Sequence, residues 1–161
     1  MNILDFALKM ELDGKAYYEK LAVETDILSL RTIFINLAAD EQKHYDIISS
    51  FKAGTTTGMA DSTVLEDAKN VFECLRQDNE TLGALKKSLH GYEYARKIEA
   101  DSIKLYEEMA DKESDTGKVA LLQKIAAEER KHYNIMDNLA DFTLKPEYYL
   151  EWREFSNLEQ L

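Results

Sequence analysis

Cysteine, proline and glycine are all scarce in this chain. A single cysteine, Cys74, excludes a disulfide framework and any iron–sulfur or zinc site built from cysteines alone within one chain. One proline, Pro146, and six glycines in 161 residues leave few of the turn signals that a strand-rich fold requires. No apolar run approaches the length of ~18 residues needed to span a bilayer, so no membrane span is expected. Positive charge is also in deficit. Twenty Lys and Arg stand against 31 Asp and Glu, giving a net charge of −11, and such a surface repels phosphate backbones, which argues against a nucleic-acid partner. The chain opens Met1-Asn2-Ile3-Leu4-Asp5 without a basic segment ahead of an apolar run, a pattern that predicts no signal peptide and a cytoplasmic location.

What is present is helical. Hydrophobic residues make up 45% of the chain, enough for the core of one domain over residues 1–161. Apolar positions recur at helical spacing over residues 2–25 (Ile3, Phe6, Ala7, Met10, Gly14, Tyr17, Tyr18, Leu21) and over 28–52 (Ile33, Phe34, Leu37, Ala38, Tyr45, Ile48, Phe51). A polar break at Thr25-Asp26 separates them, and Gly54-Thr55-Thr56-Thr57-Gly58 ends the second. Residues 62–77 read as a short amphipathic helix with Asp61 or Ser62 as N-cap. A third long helix is expected from Asp78 or Asn79 to about Lys112, and a fourth over 118–142 after the turn at 114–117. Pro146 starts a short tail helix carrying Tyr148, Tyr149, Trp152 and Phe155. Four long helices with a connector over 53–78 predict an all-α four-helix bundle with one long crossover and a short C-terminal helix.

The chain repeats itself. Residues 3–52 match 91–140 at a constant offset of 88 residues, from Glu11 to Glu99. Ala7-Leu8-Lys9-Met10-Glu11 is echoed by Ala95-Arg96-Lys97-Ile98-Glu99. Ala38-Ala39-Asp40-Glu41-Gln42-Lys43-His44-Tyr45 is echoed by Ala126-Ala127-Glu128-Glu129-Arg130-Lys131-His132-Tyr133. The offset does not drift, so each half is the same helical hairpin with the same loop length. The repeated positions include the polar ones.

Those polar positions lie in apolar stripes. Glu41 and His44, and likewise Glu129 and His132, share a helix face at i, i+3. Glu41 follows Leu37 by four residues and His44 precedes Ile48 by four; Glu129 and His132 stand in the same relation to Ile125 and Met136. Glu11 and Glu99 follow Ala7 and Ala95 by four. Four isolated buried carboxylates would be very costly. The heights also agree, because in each hairpin both glutamates lie about 22 Å from the turn at ~1.5 Å per residue. Packing the two hairpins together converges four Glu and two His at one level. One Glu from each of two helices and Glu-x-x-His from each of the other two is the donor set of a carboxylate-bridged dinuclear metal site. Oxygen and imidazole donors suit iron or manganese.

At these residues the sequence resembles the ferritin-like diiron proteins, and the rubrerythrin branch in particular, over nearly its whole length. The Tyr-Glu-x-Leu/Met-Ala runs at 18–22 and 106–110 and the two Glu-x-x-His-Tyr runs carry the likeness. The resemblance implies two iron ions, with manganese or a mixed pair as the alternatives. It implies terminal ligands at Glu11 and Glu99, bridging ligands at Glu41 and Glu129, and one imidazole per ion from His44 and His132. It also implies hydrogen bonds from Tyr18 and Tyr106 to ligand carboxylates. Two departures stand out. Arg96 occupies the place of an extra rubrerythrin glutamate, and no four-cysteine rubredoxin tail is present, so an external electron-donor protein is expected.

The other candidates carry plainer readings. Tyr45 and Tyr133 are expected to pack, His90 to lie on the surface, and Cys74 to be a small hydrophobe on the crossover helix. Arg96 is expected either in solvent or at a ligand carboxylate. Gly14 and Ser102 either allow close helix packing or leave space beside the metals. The leading functional expectation is an oxidoreductase reacting with hydrogen peroxide or O2, as a homodimer. The alternatives are iron storage or ferroxidase activity resembling bacterioferritin, a manganese catalase-like site, and an interaction module without turnover.

Overall fold

A computed structural model describes residues 2–75 and 79–144, with residues 74 and 79–82 described by backbone alone. The described residues form six helices and no strand: α1 Ile3–Glu24, α2 Leu28–Lys52, α3 Val64–Leu75, α4 Asn79–Lys86, α5 Leu89–Lys112 and α6 Thr116–Leu144. The all-α expectation holds. The expected tail helix after Pro146 and the side chain of Cys74 lie outside the described residues.

Helix ends follow local chemistry. Asn2 accepts from the Asp5 amide at 2.9 Å to cap α1, and Asp115 accepts from the Lys118 amide at 3.0 Å at the start of α6. The Val64 amide donates to Ser62 Oγ at 3.2 Å where α3 begins. At the two hairpin turns the helix bounds keep the 88-residue offset: Glu24 and Lys112 end α1 and α5, and Leu28 and Thr116 begin α2 and α6. The third long helix differs from expectation, being broken at Lys87-Ser88 into α4 and α5. Ser88 leaves the helical region at φ −109°, ψ 12°. Just beyond it the backbone at Gly91 comes against α1, where Tyr17 Oη donates to its carbonyl at 2.7 Å. A Cβ at Gly91 would stand 3.3 Å from that hydroxyl, so the close approach uses the missing side chain.

α1 packs along α2, and α5 along α6; α3 lies against α2 and α6. The core is in two apolar layers. One holds Leu21, Phe34, Leu37, Tyr92, Ile135 and Leu139, among others, and the second holds Ala7, Ile47, Ile48, Tyr106, Leu122 and Ile125. On every long helix the glutamates and histidines singled out above fall between residues of the first layer and residues of the second. A polar stratum thus crosses the bundle between two hydrophobic ones.

Candidate metal centre

Each long helix delivers its polar side chains by periodicity alone. Ala7, Glu11, Gly14 and Tyr18 are buried positions of α1, and Leu37, Glu41, His44 and Ile48 are buried positions of α2. α5 and α6 repeat the pattern with Glu99 and with Glu129 and His132. All six predicted residues are buried, none retaining more than 4% of its surface. They form two overlapping groups. Glu11, Glu41, His44 and Glu129 are one, and Glu41, Glu99, Glu129 and His132 the other, with the ligating atoms of each within 4.8 Å of one another. Glu41 and Glu129 belong to both.

Both imidazoles turn Nδ1 inward. His44 Nδ1 is 3.6 Å from Glu11 Oε2 and 3.3 Å from Glu129 Oε1. His132 Nδ1 is 2.8 Å from Glu41 Oε1, 3.2 Å from Glu129 Oε2 and 3.5 Å from Glu99 Oε1. Proximity here does not make hydrogen bonds. Glu11 Oε2, Glu41 Oε1, both Glu129 oxygens and both Nδ1 atoms are buried without a hydrogen-bond partner. Buried polar atoms are ordinarily satisfied. Six orphans facing one another, all of them metal-ligating atoms, fit a pair of cations that would supply the missing partner to each.

The outer atoms are satisfied, and the bonds cross between the halves. His44 Nε2 donates to Glu128 Oε1 at 3.0 Å, and His132 Nε2 donates to Asp40 Oδ2 at 3.0 Å. Tyr18 Oη donates to Glu99 Oε1 and Tyr106 Oη to Glu11 Oε1. Lys43 sits between the two outer carboxylates, 3.2 Å from Asp40 Oδ1 and 3.4 Å from Glu128 Oε1. Ser62, from the crossover, donates to Asp40 as well. Such partners fix the ring orientation and hold the tautomer that presents Nδ1 inward.

Electrostatics without metal show what the cluster must neutralise. Burial, together with the charges of Glu129, Glu11 and Glu99, lifts the Glu41 carboxyl well above its usual value. Burial and the Glu129 charge lift Glu99 to about 8. Burial would also lift Glu129, but the two flanking imidazoles hold it far below the carboxylate range. Burial disfavours charge on His44 and His132, yet the surrounding carboxylates raise both well above 6.5. Asp40, although buried, is held down to about 2 by its bond from His132, with help from Ser62 and Lys43. Tyr18 and Tyr106 are raised by burial and by the neighbouring glutamates, so both phenols keep the proton they donate.

The rubrerythrin family model matches residues 2–140. The chain belongs to the rubrerythrin family. No curated protein and no solved structure matches it significantly. The match spans both hairpins and the crossover of this rubrerythrin-family chain, so it covers every helix that contributes to the cluster. Among its described residues no helix is long and apolar enough to cross a membrane.

Other candidates fall as follows. Arg96 Nη1 donates to Asp137 Oδ1 at 3.0 Å, and that pairing turns it toward α6 at a half-buried position. His90 is exposed, and Tyr45 and Tyr133 are half-buried. A Cβ on Gly14 would stand 3.1 Å from Glu41 Oε2, while Ser102 Oγ donates to Met10 Sδ at 3.4 Å. Sequence reasoning missed Asp40, Glu128 and Lys43. The signal was in the repeat, where an acidic residue precedes each of Glu41 and Glu129 and a lysine precedes each histidine.

Proposed function

We propose that this chain is a dinuclear-metal oxidoreductase that reduces hydrogen peroxide, with iron as its metal. Glu11 and His44 would hold one ion, Glu99 and His132 the other, and Glu41 and Glu129 would bridge them. The observation that carries the reading is the set of six partnerless buried ligand atoms, divided into two groups that share Glu41 and Glu129. A bound ferrous pair supplies two electrons, which with two protons convert one hydrogen peroxide to two waters.

The chain's own residues prepare that chemistry. Tyr18 and Tyr106 hold the terminal carboxylates by one oxygen each, leaving the other oxygen of Glu11 free to face inward. Asp40 and Glu128 hold the imidazoles by Nε2. The two apolar layers exclude bulk water above and below. Electrons would return from a separate donor protein, and the active form would be a homodimer. The oxygen and imidazole donors also accommodate manganese, which metal analysis of protein from its native source distinguishes.

The test is anaerobic loading with two equivalents of Fe(II), followed by one equivalent of peroxide. Oxidation far faster than that of free Fe(II), at two ions per peroxide, is the expected result. A rate equal to that of free Fe(II) overturns the peroxidase reading. A large cage in light scattering would favour storage instead.

A further inference from the structure

A groove of about 270 Å³ lies between α1 and α5. Its walls include three pairs related by the repeat: Phe6 and Tyr94, Met10 and Ile98, Asp13 and Asp101. Residues paired in this way face each other across the pseudo-two-fold axis that relates the two halves. The same axis relates Glu11 to Glu99 and His44 to His132. The groove therefore stands over the middle of the ligand cluster and not over one end.

Its floor breaks the symmetry. Gly14 lines the groove, whereas its repeat partner Ser102 does not. Ser102 is buried, and its bond to Met10 Sδ fills the α5 side. On the α1 side glycine stands in mid-helix against its own propensity. Behind it lies Glu41 Oε2, 3.1 Å from where a Cβ would be. Glu41 is also the most accessible of the six, at 4%, while its repeat partner Glu129 is at 0%. Its other oxygen is one of the partnerless atoms of the cluster. The carboxylate behind the Gly14 floor is thus the one that both ligand groups share.

We propose that this groove is the route by which a small uncharged oxidant, hydrogen peroxide or dioxygen, reaches the centre, passing at Gly14, where no side chain stands between the groove and Glu41. The proposal rests on the reading of the cluster as a metal site. The walls suit such a guest. Lys9 pairs with Asp13, which leaves Asp101 as the net negative charge of the walls, and Phe6, Met10 and Ile98 offer a hydrated cation no replacement for its water.

Nitric oxide is a suitable probe, because it is small, uncharged and binds ferrous iron with a change in colour. Its association with the Fe(II)-loaded chain is followed anaerobically by stopped flow, with iron content and melting temperature measured alongside. Gly14→Leu and Asp101→Trp, the second at an exposed wall position, should each slow association at least tenfold without loss of iron. Val23→Trp, on an exposed part of α1 outside the groove, should leave it unchanged. Should Gly14→Leu disturb Glu41 and lose iron, Asp101→Trp carries the test. Wild-type rates in an iron-loaded occluding variant overturn the access route and leave the metal reading intact. A wild-type chain that takes up no iron overturns both.

Discussion

Loading this centre with metal should expel protons, and the structure shows which groups lose them. Without metal, four carboxylates and two imidazoles share a volume from which water is excluded. The effective penalty for an unpaired buried ion is several kcal/mol. Four such penalties would rival the ~5–15 kcal/mol net stability of a whole domain. The metal-free chain therefore stays folded by holding protons. The groups whose environment favours holding them are His44 and His132, both raised well above 6.5, Glu41, raised well above 4.5, and Glu99, raised to about 8. Glu129, between the two imidazoles, is ionised. Metal binds neutral imidazole and ionised carboxylate, so filling both positions at pH 7 should release at least the proton that Glu99 holds, with those on the raised Glu41, His44 and His132 adding to it. The apparent affinity for the pair of ions should then fall by at least about one decade, or ~1.4 kcal/mol, per unit of acidification below about pH 7.5. The release is read with a pH indicator in weakly buffered solution during Mn(II) or Co(II) titration, and the affinity by competition with a chromophoric chelator. Release of less than one proton per chain, or an affinity independent of pH, would refute the reasoning, because the cluster would then be ionised before metal arrives.

Further predictions follow from the same groups. Glu99 keeps, when folded, a proton that the unfolded chain loses near pH 4.5, so metal-free stability should fall by ~1.4 kcal/mol per pH unit from this group alone up to about pH 8. The raised imidazoles add to that fall above pH 6.5, and melting curves should show it in the metal-free protein and not in the loaded one. Asp40→Asn and Glu128→Gln each weaken the hold on one imidazole and should lower metal affinity about 10- to 100-fold, measured by chelator competition, with the helical circular dichroism unchanged. Tyr106→Phe removes the donor to one Glu11 oxygen and should destabilise the metal-free chain by ~1.5–3 kcal/mol in urea denaturation.

Much of this was legible in the sequence because it depends on short spacing. The four long helices, their hairpin turns and the level of Glu11, Glu41, Glu99 and Glu129 follow from periodicity and the 88-residue offset. The break at Lys87-Ser88 was not legible, since Leu85 and Leu89 keep helical spacing across it. It is made by tertiary contact, where Tyr17 draws the chain at Gly91 against α1. Asp40 and Glu128 were hidden for a related reason. Spacing on one helix sets Asp40 four before His44, yet Asp40 serves His132 and Glu128 serves His44. That exchange exists only once the hairpins pack. The repeat shows the difference between Gly14 and Ser102, but only the packed helices show that one floors a groove and the other fills its side.

The most direct test of the central claim is an anomalous difference map, recorded at the iron edge on crystals of the Fe(II)-loaded chain. Two peaks per chain are expected, one enclosed by Glu11, Glu41, His44 and Glu129, the other by Glu41, Glu99, Glu129 and His132. A single peak, or peaks outside this stratum of the bundle, would contradict the account.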